Sequence, residues 1–223
     1  MHRIVVVNPK GGSGKTTVAT NLASRYAALG YGTALYDYDA QGSSAWWHRR
    51  RAAERPPVHG VAAYQASGFN ITRSWALRLP PETERLLVDT AAALDEPQLR
   101  EHLRDAHSIL IPMQAGAVDI HAAEGFLKTL RRISPHARLG VIANRLSGDR
   151  VPAKLNEFLD SHETPLVGRI SDDPRYGEVF AQGLGLHELD GQPRAGEWNG
   201  LLEWLEEGLP AGESRARSAV RSS

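Results

Sequence analysis

The sequence predicts an α/β fold: a single doubly wound, mostly parallel sheet flanked by helices. Three observations carry this. Short apolar, β-branched runs recur along the 223 residues, and stretches of helical periodicity separate them. The first run leads straight into a glycine-rich loop and then a helix. No linker, repeat or shift in composition divides the chain, so one domain over residues 1–210 is expected, followed by a polar tail at 211–223. Strands apolar on both faces belong in a parallel sheet covered on both sides.

Taken in order, RIVVVN (3–8) reads as a buried strand. Helical periodicity runs from Lys15 to Leu29 and ends at Gly30 and Gly32. TALYDYD (33–39) is a second strand ending in acids. Residues 40–57 are polar and arginine-rich and close on Pro56–Pro57. VHGVAAY (58–64) suits a short strand, and the stretch from there to Pro81 has no clear reading. RLLVDT (85–90), SILIPM (108–113) and LGVIAN (139–144) are strands, separated by helical stretches at 96–105 and 119–132. A helix at 152–161 precedes a last strand, PLVGRI (165–170), and helices are expected at 173–182 and 197–209. The tail AGESRARSAVRSS has the small, polar composition expected of a disordered segment.

Composition narrows the function classes. Hydrophobic residues make up 41% and charged residues 23%, ordinary values for a globular protein. Formal net charge is zero, so any basic surface must be a local patch. The 26 basic residues include only four lysines, Lys10, Lys15, Lys128 and Lys154. Two of the four share one glycine-rich loop, which suggests a need there for a compact ammonium group. There is no cysteine, which excludes disulfides, thiolate metal sites and iron–sulfur ligation. No run approaches a signal peptide or the roughly 18 apolar residues of a membrane helix. The cytosol is the default expectation.

The segment Lys10-Gly11-Gly12-Ser13-Gly14-Lys15-Thr16-Thr17 lies between a strand and a helix, the context a phosphate loop requires. Its glycines let backbone N–H groups close around phosphate oxygens, and the helix N-terminus adds the positive end of a dipole. Lys15 would reach the β- and γ-phosphates, the Thr16 hydroxyl would ligate Mg²⁺, and Thr17 would hold the α-phosphate side. The bland alternative is a glycine-rich turn capped by threonines. The pattern GxxxxGK[ST] fails at its first position, which is Pro9. What remains is KGGxGK[ST], and in this deviant Walker motif the chain resembles the ParA/MinD superfamily of P-loop ATPases. The resemblance implies that Lys10 reaches across a dimer interface to the partner's nucleotide. It would neutralise charge developing on the phosphates and tie dimerisation to ATP.

The resemblance extends to DYDAQGSS. It implies that Asp39 positions or activates the attacking water and that Asp37 supports Mg²⁺ and the switch. Ala40 replaces the proline usual in the family before Gln41 and Gly42. Taken alone, two acids at a strand end are more often solvated or capping groups than catalytic ones; following the deviant Walker loop at this distance, the order reverses. Asp89 ends RLLVD and fits an acid that holds Mg²⁺ through a water, or else a helix cap. The family's prolines or Pro-Gly after it are absent here, where Thr90-Ala91-Ala92 follows. Asn144 resembles the family's adenine-reading asparagine, its alternative being a loop-forming residue. Asp172–Pro174 would border the adenine.

Missing cysteines set aside the superfamily branches that carry iron–sulfur clusters or pump arsenite. MinD-type members end in a basic amphipathic helix that lies on membranes. Here GEWNGLLEWLEEGL is acidic, and its stripe of Trp198, Leu201, Leu202 and Leu205 suits core packing, so no membrane binding is expected. The chain starts directly with its first strand and so is similar to the short partition ATPases. That likeness implies a homodimer in the ATP state, non-specific DNA binding on the nucleoid, and hydrolysis stimulated by a partner protein on the cargo. The cargo would be a plasmid, a chromosomal locus or a protein assembly such as a carboxysome. Candidate DNA contacts are His48-Arg49-Arg50-Arg51, the Lys128/Arg131/Arg132 face, and Arg215, Arg217 and Arg221, each equally readable as solvated surface. Two alternatives stay open: an ATP-dependent switch acting on proteins alone, and a synthetase of the dethiobiotin synthetase type.

Overall fold

The computed structural model describes residues 1–66, 77–148, 150–191, 194, 196–207 and 209. The stretch 67–76 and the tail 211–223, with its three arginines, lie outside the described residues. Seven strands, β1 (His2–Val6), β2 (Thr33–Asp37), β3 (His59–Ala62), β4 (Arg85–Asp89), β5 (Ser108–Met113), β6 (Arg138–Leu146) and β7 (Leu166–Ser171), form one sheet in the order β3-β2-β4-β1-β5-β6-β7. Every pairing is parallel. The helices are α1 (Lys15–Ala28), α2 (Ser43–Arg50), α3 (Glu96–Leu103), α4 (Ala117–Ile133), α5 (Ala153–Ser161), α6 (Arg175–Ala181) and α7 (Gly196–Glu206).

Period-two alternation divides the core between the two faces of the sheet. Ile4, Val6, Leu35, Leu87 and Leu110 face α1 and α7, whereas Val5, Leu86, Val88, Ile109 and Ile111 face α3, α4 and α5. Both layers are dry, each of these residues being buried. A fully buried side chain of this kind contributes roughly 1.5–3 kcal/mol. The stripe of α7 faces inward as expected, with Trp198, Leu201, Leu202 and Leu205 in the core. No described helix is long and apolar enough to cross a membrane.

Most expected elements are present, with ends that coincide or differ by up to three residues. The clear omission in the sequence reading is α2, which lies inside the polar stretch 40–57. Gly42 starts it at φ 66, a left-handed conformation that glycine adopts without strain. Trp47 anchors it, being fully buried and donating from Nε1 to the Leu184 carbonyl at 3.0 Å. Arg51, just past its end, forms a bidentate ion pair with Glu188 at 2.9 Å and 2.9 Å. Both of these side chains are buried.

The end of the sheet opposite the loop carries a second buried ion pair. Arg85 at the start of β4 and Glu206 at the end of α7 meet at 3.1 Å and 2.8 Å. Tyr26 and Tyr31 donate their hydroxyls to the same carboxylate at 3.0 Å and 3.2 Å. Burial opposes the charge on Arg85, but the hydrogen bonds and charge of Glu206 outweigh it and hold the guanidinium above its ordinary pKa. This network fixes the C-terminal helix beneath the sheet.

Candidate nucleotide site

Parallel strands end together, and register decides which side chains share the carboxyl edge. Asp37 and Asp89 are direct partners across β2 and β4, and Val6 pairs with Asp89 across β1 and β4. The loop 9–14 follows β1, so the strand order alone brings Gly11–Lys15 beside both acids. Ligands bind at this edge in open α/β sheets.

The loop has the backbone of an anion cradle. Gly12 and Gly14 have φ 71 and 98. A Cβ on Gly14 would lie 2.0 Å from the Asn144 amide, so only glycine fits there. Among the described residues, the N–H groups of Gly11, Gly12, Ser13 and Gly14 have no protein acceptor. The Ser13 hydroxyl is also buried without one. Asn8 shapes the loop's entry. Its amide donates to the Pro112 carbonyl at 2.8 Å and its oxygen accepts from the Lys10 backbone at 2.8 Å.

Lys15 is buried, and its Nζ donates to the carbonyls of Asn8 and Lys10, both at 3.2 Å. Burial lowers its pKa, and the nearby carboxylates of Asp89 and Asp39 oppose that shift. Lys10 points the other way. Its ammonium is half-exposed and paired with Asp119 on the first turn of α4 at 2.8 Å and 3.0 Å.

Asp89 is wholly buried. Its Oδ2 accepts the Thr16 hydroxyl at 2.8 Å and the Ser44 hydroxyl at 2.7 Å, whereas Oδ1 has no partner. Burial raises its pKa to about 7, against the two hydroxyl donors. Asp37, also buried, accepts from the backbone N–H of Ala45 at 2.8 Å and of Asp39 at 3.0 Å. Burial again raises its pKa. Asp39 is half-buried and accepts from the Gln41 backbone at 2.9 Å.

Beside the loop, a cavity of about 460 Å³ opens between Thr16 and Thr17 on one wall and Asn144, Asp172, Pro174 and Phe180 on the other. Asn144 is buried, and its Nδ2 donates to the Ser13 carbonyl at 2.8 Å. That bond uses one of the two amide N–H groups; the second and Oδ1 have no protein partner among the described residues. The next residue, Arg145, adopts φ 53 where the β6–β7 pairing is irregular, so the strand kinks at the cavity's rim.

All twelve sequence-selected residues, Lys10 to Thr17, Asp37, Asp39, Asp89 and Asn144, thus gather at one edge of the sheet. Asn8, Ser44 and Asp119 join them without having been anticipated. Asn8 ended the first predicted strand and Ser44 closed the QGSS string, so both were in view, but nothing local marks Asp119. The unpartnered N–H groups, the orphaned Ser13 hydroxyl and the orphaned Asp89 Oδ1 fit a triphosphate and a Mg²⁺ ion.

A phosphate loop after the first strand of a parallel sheet, with two acids on the neighbouring strand ends, defines a P-loop ATPase. A family model for the CobQ/CobB/MinD/ParA nucleotide binding domain matches residues 4–186, and the chain belongs to that family. It is 28% identical over 221 residues to the chromosome-partitioning ATPase Soj of Thermus thermophilus, a match that covers 82% of this chain and 88% of that protein. It is 32% identical over 123 residues to the maintenance of carboxysome distribution protein A of Gloeobacter kilaueensis, covering 52% of this chain and 51% of that protein. Among solved structures, apo McdA of Cyanothece superposes with a TM-score of 0.71 at 18% identity, over 92% of this chain and 99% of that one. MinD of Pyrococcus horikoshii, solved with Mg-ADP, gives 0.70 at 16%, over 96% and 98%. At such identities the structures show the shared fold.

Proposed function

We propose that this chain is a positioning or partitioning ATPase whose ATP-bound form is a homodimer that holds DNA without regard to sequence. A partner on the cargo stimulates hydrolysis and releases it. The observation that carries this reading is the outward placement of Lys10. Lys15 and the loop N–H groups line the cradle without that side chain, and its half-exposed ammonium, once released from Asp119, would reach a second copy. Lys15 and the loop N–H groups bind the β- and γ-phosphates, Thr17 the α-phosphate side, and Asn144 the adenine edge through its amide. Thr16, Asp37 and Asp89 would hold Mg²⁺, which when bound would offset the negative charge of the phosphates. Asp39 orients the attacking water, and Lys10 of one copy stabilises charge on the other's phosphates.

The basic clusters divide unequally. Lys128 pairs with Glu124, Arg132 with Glu96, and Arg131 donates to Thr164 and to the carbonyl of His162. That face of α4 is therefore largely neutralised within the chain. Just past α2, Arg51 is committed to Glu188, and on the helix His48 bonds the Val58 carbonyl, but Arg49 and Arg50 remain exposed. Arg50 stacks over Trp46 at 4.5 Å. The α2 arginines are the better described candidates for phosphate contact. The tied-up α4 face favours the second reading, a switch that acts on proteins alone.

Binding of the Asp39→Ala variant to a random-sequence duplex separates the two. Tight binding with ATP–Mg²⁺ but not ADP, falling steeply between 50 and ~200 mM salt, is the expected result. No binding in either state, with the ATP dimer confirmed by sedimentation, would leave the protein-only switch.

The Lys10–Asp119 pair makes a further prediction. Lys10 is half-exposed and Asp119 nearly buried, so the pair contributes on the order of 1 kcal/mol, and Lys10 must leave it to act on a second copy. Each copy of the dimer breaks one such pair, so Asp119→Asn in the Asp39→Ala background should tighten ATP-dependent dimerisation by up to about thirtyfold. Sedimentation at several chain concentrations reads this, and unchanged or weaker association would show that Asp119 does not hold Lys10 back.

A further inference from the structure

We infer that Ser44 is a positioning residue for the magnesium site, coupling the orientation of Asp89 to the placement of helix α2. The inference rests on the reading of Asp89 as a metal-holding acid. Ser44 is fully buried on the first turn of α2. Its hydroxyl is one of two donors to Asp89 Oδ2, at 2.7 Å, the other being Thr16 at 2.8 Å. With both donors on one oxygen, the carboxylate cannot rotate freely, and Oδ1 is the atom left open in a site that offers it no protein donor. Such outer contacts fix the orientation of a metal-binding carboxylate.

The same helical turn holds the other acid. The Ala45 N–H donates to Asp37 Oδ2 at 2.8 Å, and Asp37 is the register partner of Asp89. One turn of α2 therefore touches both carboxylates, one through a side chain and one through the backbone. Of the two contacts, only Ser44 can be removed without altering the main chain. Whatever orients Asp89 for Mg²⁺ also favours this placement of α2, and the coupling must act equally in both directions.

Ser44→Ala deletes one buried oxygen and keeps the helix. Mg²⁺ is titrated calorimetrically into chain carrying a bound non-hydrolysable ATP analogue, free nucleotide having been removed. The midpoint is expected to rise about tenfold in Ser44→Ala, while analogue binding in EDTA stays at the parent value. Ser44→Thr, which keeps the hydroxyl, should return the midpoint toward the parent. A Ser44→Ala midpoint within about twofold of the parent would overturn the inference, as would a loss of analogue binding in EDTA as large as the loss for Mg²⁺. Failure of the underlying reading looks different. In that case Asp89→Asn, too, leaves the Mg²⁺ midpoint within about twofold of the parent.

Discussion

Lys15→Ala is expected to weaken nucleotide binding by on the order of 100-fold or more, the scale of removing one aimed donor from a preorganised anion site. Lys15 is a cation at a helix N-terminus, where the dipole disfavours positive charge, and it is buried as well. Two carbonyls, of Asn8 and Lys10, hold its ammonium at 3.2 Å. Both are neutral acceptors at long range, a weak match for a buried ammonium, whereas a triphosphate would supply full negative charge. The loop glycines and their free N–H groups remain in the variant, so the fold should persist. Fluorescence titration with a labelled ATP analogue, beside a circular dichroism spectrum, measures this. Parent-like affinity in a folded variant would remove the phosphate-loop assignment and the mechanism built on it.

The largest expected effect on stability lies at the other end of the sheet. Glu206→Ala should cost about 3–5 kcal/mol, because it leaves the buried Arg85 guanidinium without its counter-charge. It also leaves the hydroxyls of Tyr26 and Tyr31 without the carboxylate that accepts both. That is a large part of the roughly 5–15 kcal/mol that holds a typical domain folded. Replacing both charges, as Arg85→Met with Glu206→Leu, should cost less than Glu206→Ala alone, since the guanidinium is then no longer buried beside a deleted carboxylate. Urea unfolding monitored by tryptophan fluorescence gives both values. A loss below about 1 kcal/mol for Glu206→Ala would mean that water reaches Arg85 and that the pair is not sealed. Nucleotide affinity of the folded variant should match the parent, because the network lies at the edge away from the loop.

What the sequence made legible were features encoded locally. The loop could be read because its glycines, lysine and threonines are consecutive, and a strand and a helix flank it. Asp37 and Asp89 could be read as strand ends, although only the parallel register makes them direct partners. Helix α2 escaped because little in SSAWWHRR marks a helix by itself. Its supports are Leu184 and Glu188, 137 residues away from Trp47 and Arg51. The same distance problem hid Asp119, which is 109 residues from Lys10. The arginine clusters were visible as charge, but their partners were not: Glu96 neutralises Arg132 from a different helix. Spacing along one helix cannot reveal that.

The buried Arg51–Glu188 clamp has a mechanical consequence. Helix α2 is seated at its start by buried hydrogen bonds to two carboxylates, at its middle by the buried Trp47 indole, and just past its end by an enclosed charge pair. A tilt of such a body would centre on the clamped end. With eight residues at 1.5 Å each, the lever arm is roughly 12 Å, so a tilt of a few degrees at Arg51 carries Ser44 and Ala45 several tenths of an ångström. A hydrogen bond is sensitive to displacements of that size. Rearrangement at the acids therefore needs neither unfolding of the helix nor sliding along its axis, only a small swing about a fixed hinge.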